Sequence, residues 1–138
     1  MSLGNYKHSD ALTALGNEVI NASFPHLKTA RIFYMTCDKP KKNGTKIVLA
    51  DCEKLTDKVS ALTGYDFLIT FYRDSKDLTP QAQRILMEHE LRHIGWDGEN
   101  TKKIIPHDVQ DFAAIISKYG LQWHQTQQVS MFEETERR

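Results

Sequence analysis

The sequence predicts one α+β domain in which a small, mainly antiparallel sheet packs against a long helix and flanking helices. Three observations predict it. Segments with helical spacing of apolar residues are separated by short runs rich in branched and aromatic residues. Their order is helix, strands, helix, helix, which is not the regular alternation of an α/β chain. The length, 138 residues, is enough for one hydrophobic core and too little for two. No internal repeat or low-complexity linker divides the chain, so a single domain is expected over 1–124. A polar, charged and flexible tail is expected over 125–138.

Taken in order, Ser9 or Asp10 can cap a first helix over 10–22, with Leu12, Leu15, Val19 and Ile20 on one face. Phe24-Pro25 ends it. A strand is predicted over 30–36, then a turn or loop over 38–45 carrying Pro40 and Asn43-Gly44, then a strand over 46–50. A short helix over 55–62 is closed by Gly64. Residues 65–72 (YDFLITFY) give the clearest strand, with Tyr65, Phe67, Ile69 and Phe71 alternating onto one face, and this strand is expected to present an edge to which an extended peptide can add. Thr79-Pro80 supplies a cap followed by proline at the first helical position, so a helix should run over 81–94 and stop at Gly95. A short strand follows over 102–105. A last helix is predicted over 106–119, stopped by Gly120, with Val109, Phe112, Ala113 and Ile116 inward.

Lysine plus arginine and aspartate plus glutamate number 18 each. The absence of net charge speaks against a dedicated nucleic-acid module or an anionic membrane partner. Lys39, Lys41 and Lys42, with Lys46 beyond the turn, form the one short basic cluster, which reads as a soluble loop. No apolar run approaches the roughly 20 residues that span a bilayer, and MSLGNYKHSD lacks the basic start and apolar stretch of a signal peptide. Cys37 and Cys52, without a C-x-x-C pattern, read as free thiols in a reducing compartment. A cytoplasmic location is the expectation.

The chemistry gathers at His89-Glu90-Leu91-Arg92-His93. Histidines four apart in a helix emerge on one face, one turn apart, where both can reach a single tetrahedral Zn²⁺ at about 2.0–2.1 Å. Glu90 flanks the metal without ligating it. It can take a proton from a zinc-bound water and later deliver it to a leaving group. This is the H-E-x-x-H pattern of zinc metallopeptidases. The predicted helix is otherwise apolar, through Ala82, Ile85, Leu86, Met87, Leu91 and Ile94. Burying two imidazoles and a carboxylate there is costly unless something pairs with them, and one zinc per chain would do so.

A catalytic zinc takes three protein ligands and keeps one position open. His107, at the start of the last predicted helix, is the simplest third donor. Asp97, Glu99, Asp108 and Asp111 are further candidates. Arg92 points to another face and reads as a solvated or ion-paired arginine, and Tyr119 as a core residue. His8, His26 and His124 read as structural or surface histidines.

Residues LTGYDFLITF (62–71), MEHELRHIG (87–95), PHDVQDF (106–112) and YGLQW (119–123) together resemble the putative phage metallopeptidase family, small zincin-like proteins of bacteriophages and prophages. The likeness spans roughly 27–123. It implies a zincin-like fold, a zinc ion, a peptide or protein substrate, and a phage- or prophage-encoded protein inside a bacterial host. The segment from His107 to Phe112 is also similar to the histidine-glycine-x-x-phenylalanine segment of SprT-like proteases, where the histidine is the third zinc ligand. That resemblance assigns the same role to His107, although Asp108 stands in place of the glycine. No zinc ribbon or basic C-terminal part of the SprT-like kind is visible. The reading is therefore a zinc metallopeptidase with His89, His93 and His107 as ligands and Glu90 as general base. A zinc-stabilised binding protein without turnover and a protease of DNA-associated proteins are the alternatives.

Overall fold

The first helix begins where its cap is encoded: the Ser9 hydroxyl accepts a hydrogen bond from the Leu12 amide at 3.0 Å, worth about 1 kcal/mol. Helix α1 (Asp10–Ser23) turns Leu12, Gly16, Val19 and Ile20 inward, close to the predicted boundaries. A 3-10 turn, Pro25–Leu27, follows it. The computed structural model describes residues 2–3, 5–99 and 101–106. Of the last predicted helix only Pro106 falls within these, and the tail over 125–138 lies outside the described residues.

Among the described residues the strands are β1 (Ser2–Leu3), β2 (Tyr6–His8), β3 (Ile32–Cys37), β4 (Lys41–Asn43), β5 (Lys46–Val48), β6 (Ala50–Lys54), β7 (Phe67–Phe71), β8 (Ile94–Trp96) and β9 (Lys102–Ile104). Helices α2 (Asp57–Thr63) and α3 (Pro80–Leu91) complete the set. The main sheet has the order β1-β2-β3-β7-β6, and two hairpins, β4–β5 and β8–β9, stand apart from it. The architecture is α+β, as predicted. The sheets are mostly antiparallel, but the central pair β3 and β7 is parallel, with Ile32 opposite Phe67 and Thr36 opposite Phe71. Between those two strands the chain forms the β4–β5 hairpin, β6 and α2. A connection of that length can carry it back to the same end of the sheet.

Three local expectations are corrected. The stretch predicted as a loop contains β4, which pairs with β5 across the turn at Gly44 (φ 67°). The strand predicted over 46–50 is two strands, because β6 starts at Ala50 and runs on to Lys54 beside β7. Neither KKN nor ADCEK carries the branched or aromatic residues that mark a strand; pairing with a neighbour creates both. Third, α3 ends at Leu91, short of the predicted 94, and Ile94–Trp96 becomes strand β8. Gly95 does not stop a helix. It lets β8 and β9 approach closely, since a Cβ there would lie 2.7 Å from Cγ of Lys103.

Other local signals act as read. Thr56 caps α2 and Gly64 closes it at φ 82°. Thr79 caps α3, with Pro80 as its first residue. Helices α1 and α3 pack together and against the same side of the sheet, as Leu12, Val19, Phe67, Ile69, Leu86 and Leu91 share one core. Gly16 admits the Tyr34 ring at that interface, where a Cβ would collide with it. Arg84 of α3 binds Glu18 of α1 at 2.8 Å. Cys37 and Cys52 are free thiols. Among the described residues no helix is long and apolar enough to cross a membrane.

Candidate metal centre

The sheet and α1 bury one side of α3, and its last turn carries the motif into that interior. Glu90 is 5% exposed and His93 6%. His93 lies beyond the last helical residue, so helical periodicity alone does not bring it to His89. The chain tightens instead: the His93 amide donates to the Glu90 carbonyl at 3.1 Å, one residue short of the helical spacing. The rings nevertheless meet, with centroids 5.1 Å apart and planes at 88°. Two imidazoles sharing a tetrahedral ion at about 2.0–2.1 Å would have ring centres roughly 5.2 Å apart. The observed centroid spacing is close to that value, and imidazole nitrogen is a donor type that suits zinc.

The hydrogen bond on the other side of the His93 ring sets its tautomer. Nδ1 lies 2.6 Å from the carbonyl oxygen of Ile105. A carbonyl only accepts, so Nδ1 carries the proton and Nε2 the lone pair that a metal needs. The Ile105 amide in turn donates to the His93 carbonyl at 2.6 Å. Ile105 follows β9 directly, so the β8–β9 hairpin holds His93 by both backbone and ring.

Strand β6 borders the site. Burial, then the negative charge of Glu90, pushes the Cys52 thiol well above its ordinary range, which puts this strand beside the motif. The edge predicted at the strand over 65–72 is therefore corrected: β7 is enclosed between β3 and β6, and among the described residues β6 is the outermost strand on that side. Helix α3 also carries a buried carboxylate outside the H-E-x-x-H pattern. Glu88 is 1% exposed and binds Arg92 Nη2 at 3.2 Å. The Arg92 guanidinium also covers the Phe24 ring at 5.4 Å. The i,i+4 spacing of Glu88 and Arg92, inside an otherwise apolar helix, is the signal that could have found this pair. Arg92 is ion-paired, as predicted.

Among the described residues no third histidine, cysteine, aspartate or glutamate joins His89 and His93 in a metal-holding cluster. Asp97 is engaged in the hairpin turn, where its Oδ1 accepts from the amides of Glu99 at 2.9 Å and Thr101 at 3.1 Å. Glu99 lines a different cleft, with Arg31, Ser60 and Lys102. His8 stacks near Phe33 and His26 near Phe24, in keeping with structural or surface roles. His107, Asp108, Asp111, Tyr119 and His124 lie outside the described residues.

Residues 4–131 match the family model described as putative phage metallopeptidase. The chain belongs to that family. The match takes in every described strand except β1, α3 with its motif, and most of the sequence beyond the β8–β9 hairpin. No curated protein and no solved structure matches the chain.

Proposed function

We propose that the chain is a zinc-dependent metallopeptidase of zincin-like fold, with one Zn²⁺ held by His89, His93 and His107 and with Glu90 as general base. The observation that carries this is the 5.1 Å separation of the two imidazoles, with a buried carboxylate between them in sequence. His107 is favoured as third ligand by the course of the chain. At Ile105 the backbone is hydrogen-bonded to His93, and the two residues from there to His107 span at most about 7 Å.

Bound zinc supplies a Lewis acid that polarises a carbonyl and lowers the pKa of water. Glu90 accepts a proton at its carboxylate and returns it to the departing amine, and its burial strengthens that exchange by keeping bulk water from the carboxylate. Among the described residues β6 is the last strand of the main sheet on its side, and its edge can take an extended peptide as a further strand, with backbone hydrogen bonds giving affinity and alternate side chains giving selectivity. Membership of a phage family, the cysteine usage and the balanced charge support an intracellular protein of a bacterial host that acts on peptides rather than on nucleic acid.

The test is metal content measured alongside peptide cleavage. The purified protein should carry about one zinc per chain. His89→Ala, His93→Ala and His107→Ala should each strip it, while Asp97→Ala and Glu99→Ala should retain it. Zinc that stays well below one per chain after dialysis against Zn²⁺ refutes the reading. Loss of metal in Glu99→Ala with retention in His107→Ala moves the third ligand to the turn after Gly95.

A further inference from the structure

Lys102 stands at the start of β9, and nothing in the H-E-x-x-H pattern calls for it. Its side chain is only 10% exposed. The ammonium donates to Ser60 Oγ of α2 at 2.6 Å and to Asp66 Oδ1 at 3.3 Å, and Asp57 Oδ1 stands 3.6 Å away. Asp66, just ahead of β7, is itself clamped by Arg31, whose Nε and Nη2 bond its two oxygens at 3.0 and 3.2 Å. Arg31 and then Lys102 hold the Asp66 carboxyl below the usual carboxylate range. An ammonium so nearly buried is costly without partners, and these partners sit on α2 and at the head of β7.

The hairpin needs such an anchor. Residues Asp97, Gly98 and Glu99 at its tip are exposed, and of β8 and β9 only Ile94 is buried. The Trp96 indole N–H also ties the hairpin to the body, donating to Thr29 Oγ1 at 2.8 Å. Lys102 is opposite Trp96 in the ladder, and Ile104 is opposite Ile94. Fixing Lys102 against Ser60 and Asp66 therefore fixes how far β9 reaches along β8. That register in turn places the Ile105 carbonyl on Nδ1 of His93.

We infer that Lys102 is a positioning residue for His93: its bonds to Ser60 and Asp66 set the register of β8–β9, and through the Ile105 carbonyl they hold the imidazole as the Nδ1–H tautomer with Nε2 directed to metal. This rests on the metallopeptidase reading for its consequence in metal binding, but not for its effect on the His93 ring. Hydrogen-bond partners behind a ligating histidine typically change metal affinity by about 10- to 100-fold when lost.

Lys102→Met, Lys102→Arg and Ser60→Ala, compared with the parent, test it by two readouts. In metal-free protein, long-range ¹H–¹⁵N correlation of the His93 ring reports the tautomer. In zinc titration against a chelator, the affinity for Zn²⁺ alone is read. Lys102→Met should mix the tautomers and weaken zinc about 10- to 100-fold. Lys102→Arg should restore both in large part, because a guanidinium also donates to Ser60 and Asp66. Gly16→Ala, which strains the remote contact with Tyr34, is the stability control and should leave tautomer and affinity unchanged. The inference is overturned if Lys102→Met keeps a single Nδ1–H tautomer and zinc affinity within twofold of the parent, or if Gly16→Ala weakens zinc equally. Should Lys102→Met fail to fold, Ser60→Ala decides: a smaller shift in the same direction supports the role, and none refutes it. A parent that binds no zinc defeats the metallopeptidase reading, while the tautomer comparison still judges this one.

Discussion

The body of the domain and the β8–β9 hairpin are neighbours held by different forces. In the body, Val19, Phe67, Ile69, Met87 and Leu91 are each at most 1% exposed, and α1, the sheet and α3 share one apolar core. The hairpin reaches that core only through Ile94 and Trp96 at its β8 side, and directional contacts tie the rest: Lys102 to Ser60 and Asp66, Trp96 to Thr29, and Ile105 to His93. Dense packing tolerates the loss of any one hydrogen bond because many atoms share the load. A handful of directional bonds aims a side chain more narrowly, and each of them matters. Two of the three candidate metal ligands straddle this boundary, His89 on the packed helix and His93 at the root of the hairpin.

The sharpest separation of chemistry from structure should come from Glu90→Gln. The amide cannot accept a proton, so kcat/KM on a validated peptide should fall by about 10²- to 10⁴-fold, with zinc content and far-UV circular dichroism unchanged. Wild-type turnover in this variant would remove Glu90 from the mechanism. Phe67→Ala acts on the body alone. Its side chain is fully buried, and truncation should cost about 3–5 kcal/mol in denaturant unfolding. A loss below about 1 kcal/mol would mean that the core is less tightly packed than the burial implies.

Gly16→Ala should cost less, about 1–3 kcal/mol, because the added methyl displaces the Tyr34 ring and leaves the rest of the core in place. Unchanged stability would show that the ring shifts without penalty. The smallest effect concerns the hairpin's anchor and acid. Asp66 has a depressed carboxyl, first through its hydrogen bond with Arg31. Its stabilisation is complete above the unfolded value of about 3.9 and is lost as pH falls through the lower folded value. Between pH 6 and 3 the parent should therefore lose more stability than Asp66→Asn, and equal losses would discount this carboxylate.

The sequence by itself determined what depends on near neighbours. Ser9, Thr56 and Thr79 start their helices because a cap bonds an amide three residues away. Gly64 ends α2 because its left-handed φ of 82° costs glycine little. Phe67, Ile69 and Phe71 alternate into the core because a strand's side chains do. The H-E-x-x-H spacing and the α+β class were legible for the same reason. Tertiary structure alone decided the parallel pairing of β3 with β7, the strands made from KKN and ADCEK, the early end of α3 at Leu91, and the edge at β6 rather than β7. It also brought Lys102 to Ser60 and Asp66 across more than 35 residues of sequence. A cap or a turn is specified by residues that are already adjacent. A strand's partner, and the carbonyl that orients His93, are chosen only when distant segments compete for the same hydrogen bonds as the core closes, and no local pattern records which of them wins.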